Sequence, residues 1–90
     1  MLRTDLHDLL ENGQLGDWAF SEDGVNLWFR YPDPNGEVRG EPVRINIKPT
    51  EYEPRCWQWD GNREAPTLSP SINVIGRWHG WLQAGKLVNA

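Results

Sequence analysis

Residues 56–82 read C-W-Q-W-D-G-N-R-E-A-P-T-L-S-P-S-I-N-V-I-G-R-W-H-G-W-L, and the fold is decided in this stretch. It holds four of the six tryptophans, the single cysteine and one of the two histidines. Pro66 and Pro70 each lack a backbone donor, so the segment between them suits an edge strand or a polyproline-like path and excludes a helix. Trp57 and Trp59 stand two apart, which in an extended strand puts both on one face. Asp60-Gly61 supplies the positive φ of a tight turn. Ile72 and Val74 resume a strand, and Trp78 to Leu82 forms another. Ala84-Gly85 turns it into a last short strand at Leu87-Val88.

Toward the N-terminus the same period of two continues from Asp17 to Ile47. Trp18 and Phe20 lead into the turn Ser21-Glu22-Asp23-Gly24. Val25, Leu27, Phe29 and Tyr31 alternate with Asn26, Trp28 and Arg30, the pattern of a strand with one face inward. Pro32-Asp33-Pro34-Asn35-Gly36 interrupts the chain as a loop or hairpin. Val43, Ile45 and Ile47 then alternate with Arg44, Asn46 and Lys48, and Pro49 to Pro54 reads as a polar surface link. At the start of the chain Leu2, Leu6, Leu9 and Leu10 recur at helical spacing, with Asn12-Gly13 as the stop.

These elements predict one small domain over 1–90: a helix in 1–13, strands in 17–48, and Trp-rich strands around the Pro-Thr-Leu-Ser-Pro-Ser core in 55–89. The fold class is mainly β (α+β), a small antiparallel β-sandwich or partly open barrel with one short N-terminal helix. With 90 residues and 38% apolar side chains, much of the core falls to the tryptophans, each burying on the order of 200 Å². One cysteine allows no intrachain disulfide and fits a reducing cytoplasm. No apolar run approaches the roughly 20 residues that span a membrane. A net charge of −4 argues against nonspecific nucleic-acid binding, which needs clustered Lys and Arg.

Three chemistries are conceivable for these residues. Thr67, Ser69 and Ser71 alternate as in a strand and His79 follows some ten residues later. No glycine-flanked nucleophile elbow surrounds the serines, and hydroxyls between prolines more often close local turns. Zinc would need Cys56 and His79 with Asp60 and Glu64, without any Cys-x-x-Cys or His-x-x-x-His spacing, so no metal or other cofactor is expected. The third is recognition by exposed aromatics. Trp81 lies three positions after Trp78, so the two must split between faces of a strand. Arg55, Arg63 and Arg77 flank the tryptophans, and guanidinium stacks well on indole.

The pattern W-x-W-D-G-N-x-x-x-P-T-L-S-P-S-I, followed by W-H-G-W-L-x-x-G-x-L, resembles a family of small phage and prophage proteins of unknown function, some labelled "ammonia monooxygenase". The resemblance covers residues 55–88, and Trp18 to Gly24 fits the same layout. Longer relatives carry Cys-His where this chain has Trp78-His79, and a further Asp-x-Thr-His-type segment, which suggests a metal site in them. With Trp78 in place of Cys and the chain closing at Ala90, the resemblance implies that such a site is lost here. No set of copper or iron ligands supports oxygen chemistry.

The expectation is therefore a non-catalytic, phage- or prophage-encoded interaction module in the bacterial cytoplasm. Its partner would be a host or phage protein rather than a nucleic acid or a membrane, and exposed strand edges suit a homodimer. The contact patch would be Arg77, Trp78, His79 and Trp81. A small-ligand or sugar-binding domain using Trp57 and Trp59 is the alternative, and a degenerate zinc-binding domain a further one.

Overall fold

The structure is a computed structural model that describes residues 1–45 and 56–90. The expectations for Asn46, Ile47, Lys48, the link from Pro49 to Pro54, and Arg55 lie outside the described residues. The elements run α1 (Leu6–Asn12), β1 (Trp18–Phe20), β2 (Asn26–Pro32), β3 (Val38–Arg44), β4 (Gln58–Trp59), β5 (Leu68–Ser69), β6 (Ile72–Val74), β7 (Trp78–Gln83) and β8 (Lys86–Asn89). All strand pairings are antiparallel, in ladders β1-β2-β3, β4-β5 and β6-β7-β8. Among the described residues the protein is thus mainly β with one short helix, and no ladder closes into a barrel.

The alternation read in β2 is the backbone of the core. Leu27, Phe29 and Tyr31 are fully buried, while Asn26, Trp28 and Arg30 face partly outward. Across from them Trp78 of β7 brings its indole 5.7 Å from Phe29 and 6.2 Å from Tyr31. The two three-stranded ladders therefore meet through tilted aromatic contacts, the arrangement that ring quadrupoles favour. Trp18, Phe20, Val43, Ile45, Leu68, Ile72 and Leu82 complete the same cluster. Burying each such side chain contributes roughly 1.5–3 kcal/mol.

Three local expectations change. The helix begins at Leu6 instead of spanning the first thirteen residues, because Asp5 caps it by accepting from Asp8 N at 2.8 Å. Leu2 lies outside it, bridged in parallel to Trp18. Gly13 ends the helix with a φ of −65°, so its lack of a side chain matters for space and not for handedness. A Cβ there would collide with the Leu9 carbonyl oxygen. Strand β3 starts at Val38, earlier than the Val43 of the sequence reading. Pro42 sits inside it, tolerated because β3 is an outer strand. Asp60-Gly61 does not close a two-residue hairpin. An eight-residue loop joins β4 to β5, and Asp60 Oδ1 gathers it by accepting from Asn62 N and Thr67 N.

The last hairpin carries an unusual turn. Ala84 and Gly85 both adopt positive φ, 49° and 76°, as a two-residue turn of the hairpin-favoured hand requires. Two bonds tie this turn to the proline-rich loop: Ala84 N to Thr67 Oγ1 at 2.8 Å and Gly85 N to Pro66 O at 2.9 Å.

Candidate active site

The hydroxyl of Ser71 and the imidazole of His79 meet on the outer face of the β6-β7-β8 ladder, with Oγ and Nε2 3.1 Å apart. The contact follows from the register. Ile72 pairs with Gly80, Asn73 with His79 and Val74 with Trp78, so Ser71 extends the ladder opposite Trp81. Ile72, Val74, Trp78, Gly80 and Leu82 alternate with Ser71, Asn73, His79, Trp81 and Gln83. The first set turns toward the core and the second away from it, as their burial shows. Ser71 and His79 are diagonal neighbours on that outer face, a separation an imidazole can span. Asn73 stands directly across from His79, and the Trp81 ring lies 6.1 Å from the imidazole on its other side.

Two devices fix this pair. The indole Nε1–H of Trp57 donates to the Ser71 carbonyl at 3.3 Å, anchoring the serine's main chain. Gly80, between His79 and Trp81, lets the ladder lie flat against its surroundings. A Cβ there would collide with the Val88 carbonyl oxygen and come within 2.6 Å of the Trp78 ring. Ser71 is half-buried and His79 exposed, so the hydroxyl is reachable from solvent. For Nε2 to accept the hydroxyl proton, the ring proton must sit on Nδ1. Among the described residues no carboxylate hydrogen-bonds this imidazole, so what they assemble is a Ser–His dyad.

Among the described residues, the hydroxyls of Thr4, Ser21 and Thr67 are engaged in local bonds. Thr67 Oγ1 accepts from Ala84 N, and Ser21 donates to Asp23 at 2.6 Å. Ser69 is exposed on β5, paired with Gln58. His7 pairs with Glu11 on α1, 3.4 Å apart. Among the described residues no three of His, Cys, Asp and Glu gather as a metal site would need.

The residues expected to form a contact patch separate. Trp78 belongs to the core, 8% exposed, with its Nε1–H donated to Asn89 Oδ1 at 2.8 Å. It is not available to a partner. Trp81 and His79 share the outer face, and Arg77 stands in the turn beyond β6. Trp57 and Trp59 are half-buried against the core. Trp59 packs on Phe20 at 5.0 Å and gives its N–H to Asn62 O, which leaves no open stacking platform of paired indoles. The stacked guanidinium is that of Arg63, 4.2 Å over the Phe20 ring rather than over a tryptophan.

The Ser71–His79 contact escaped the sequence reading because separation was counted along the chain. Its signal was present in the hairpin. Gly76 with positive φ, in the three-residue turn between Val74 and Trp78, sets a register that returns His79 to the face of Ser71.

Comparison with known families places the chain. The family model of the bacterial ubiquitination-like system serine protease (BubE) matches residues 16–90, and the chain belongs to that family. No curated protein and no solved structure matches. Membership in a protease family overturns the expectation of a non-catalytic phage interaction module, and the ligand-binding and degenerate-zinc alternatives fall with it. The expectation that the chain is not an enzyme is likewise corrected.

Proposed function

We propose that this chain is a serine peptidase working in a bacterial ubiquitination-like system, with Ser71 as nucleophile and His79 as general base. The observation that carries the reading is the 3.1 Å contact of Ser71 Oγ with His79 Nε2, inside the span that the protease family matches. A nucleophile within reach of a base is the minimum for acyl transfer.

The steps follow from these two groups. Ser71 Oγ attacks the carbonyl carbon of the substrate amide while its proton passes to His79 Nε2. The carbon–nitrogen bond then breaks, and His79 returns that proton to the leaving amine. Water enters, gives a proton to His79 and attacks the ester carbonyl. The acyl–oxygen bond breaks, the acid is released and Ser71 recovers its proton. The place of work that suits this chemistry is the bacterial cytoplasm. A single cysteine fits that compartment, and no helix among the described residues is long and apolar enough to cross a membrane.

An alkyl fluorophosphonate tests the assignment. It should add one phosphonyl group to the protein, located on Ser71 by peptide mass spectrometry. Ser71→Ala should abolish the adduct. A label on another serine, or one that survives in S71A, would sink the reading.

A further inference from the structure

Among the described residues the ladder that carries Ser71 ends in an unpaired edge, and that edge lines a groove. Sheets β1-β2-β3 and β6-β7-β8 leave β3 and β6 as outer strands. Between them lies a groove of about 450 Å³, lined by Pro42 and Val43 of β3, by Ile72 and Val74 of β6 and by Trp57, whose main chain bonds Arg44 while its indole reaches Ser71, with Glu41 and Arg77 among its charged lining. Trp57, whose indole holds the Ser71 carbonyl, and Ile72, the next residue along the chain from Ser71, both line it, which sets the groove beside the segment that carries the nucleophile.

The pairing of β7 with its two neighbours sets the direction of the backbone groups along β6. Ala90 N donates to His79 O, so the main-chain groups of His79 point to the β8 side of β7. In an antiparallel ladder the residue opposite such a position is a non-hydrogen-bonded partner. Asn73 is that partner, and its N–H and C=O therefore point away from β7, into the groove. Ser71, two residues earlier, presents its carbonyl on the same edge, where Trp57 takes it. On the facing wall Pro42 has no N–H to offer. Of the two edges, β6 is the one equipped to pair.

We propose that this groove holds the substrate as an extended strand, added to the free edge of β6 through the main-chain N–H and C=O of Asn73. The proposal rests on the peptidase reading and deepens it. Strand addition uses backbone bonds for affinity and side-chain pockets for selectivity. Here Val74 and Trp57, both half-buried at the groove, offer apolar contact to every second side chain. A polypeptide tail in extended form satisfies such an edge, whereas a compact folded surface cannot enter between the two strands.

Two classes of phosphorus probe separate this proposal from the reading beneath it. A bare alkyl fluorophosphonate reports Ser71 alone: a P–O bond forms, fluoride leaves and the hydroxyl proton passes to His79. Acetylated tetrapeptidyl diphenyl phosphonates report the groove as well, expelling phenoxide from phosphorus. The panel varies the residue nearest phosphorus but one among Ala, Val, Leu and Phe. At least one member should react about tenfold faster than its single-residue analogue, the gain expected of one or two added hydrogen bonds.

N-methylation of the peptide amide that pairs with the Asn73 carbonyl should erase that advantage. Asn73→Pro, which removes the outward-facing donor together with the side chain, should reduce the ratio of the two rates. Asn73→Ala, which keeps the main-chain N–H, should preserve it. An advantage absent across the panel, insensitive to N-methylation, or lost equally in N73A would overturn strand addition. The N-methyl peptides act on the unaltered protein, so the result stands even if N73P does not fold. Failure of both probe classes to mark Ser71 would instead overturn the peptidase reading.

Discussion

The indole of Trp57 reaches across to hold the main-chain carbonyl of Ser71 at 3.3 Å. A core-packed side chain thus fixes the backbone from which the candidate nucleophile projects, and the serine cannot shift without losing that bond. Trp57→Phe keeps the packing and removes the donor. We expect stability to fall by about 1 kcal/mol and phosphonylation of Ser71 to slow by about three- to tenfold. Labelling at the wild-type rate would show that the anchor is not felt at Oγ.

Loss of the base should be far more costly than loss of a neighbouring hydroxyl. His79→Gln is expected to lower the labelling rate by about 10²–10⁴-fold, with near-ultraviolet circular dichroism unchanged. Ser69→Ala, two residues from the nucleophile on the exposed side of β5, should label as wild type. Equal effects from the two variants would contradict the assigned roles.

Gly80 has no room for a methyl group. The Val88 carbonyl and the Trp78 ring occupy the space a Cβ would take. Gly80→Ala should therefore destabilise the fold by about 1–3 kcal/mol through overpacking, read as a lower chemical-denaturation midpoint. A wild-type midpoint would mean that β7 and β8 separate at little cost.

Ala84 offers a stabilising change. Its φ of 49° is a conformation that costs an ordinary side chain roughly 1–2 kcal/mol. Asn tolerates it and is favoured before Gly in such turns. Ala84→Asn should raise the melting temperature by a few degrees. Ala84→Gly should gain less, because glycine also loosens the unfolded chain. The reverse order of the two would argue against strain at this position.

Stability should also depend on acid through Asp33. The Arg39 guanidinium, Nε 2.6 Å from Oδ2, holds this carboxyl below its ordinary value of 3.8, helped by the N–H groups of Glu37 and Asn35. A depressed folded value means that the ionised form is the one favoured by folding. Its contribution is complete above about pH 5 and is lost as pH falls below 4 through the folded value. Asp33→Asn should melt lower than wild type at pH 7, and the gap should close toward pH 2. A pH-independent gap would assign the loss to the turn rather than to the ion pair.

Much of this architecture was legible in the chain, for reasons visible in particular residues. Leu27, Phe29 and Tyr31 alternate cleanly because β2 has one wet side and one dry side. The opposite orientations of Trp78 and Trp81 follow from their odd spacing alone. Strand β3 was hidden at its start because Val38 to Pro42 are not fully buried and include a proline, so an outer strand looked like loop. Leu2 imitated a helical repeat but sits in a bridge to Trp18. The dyad was obscured for another reason. Ser71 and His79 acquire their relation only when the β6–β7 hairpin folds, and neither residue type is rare enough to announce it. The protease assignment came from the family match over residues 16–90 and not from the composition of the Trp-rich stretch.

Trp81 gives the molecule one further property. Its ring is 6.1 Å from the His79 imidazole and half-exposed, whereas Trp78 is sealed in the core. A bulky group on Ser71, directly across the ladder from Trp81, changes the water around this indole. The site therefore contains its own optical gauge. The emission of the native protein minus that of Trp81→Phe, followed without any dye, should register occupation of Ser71 as it happens.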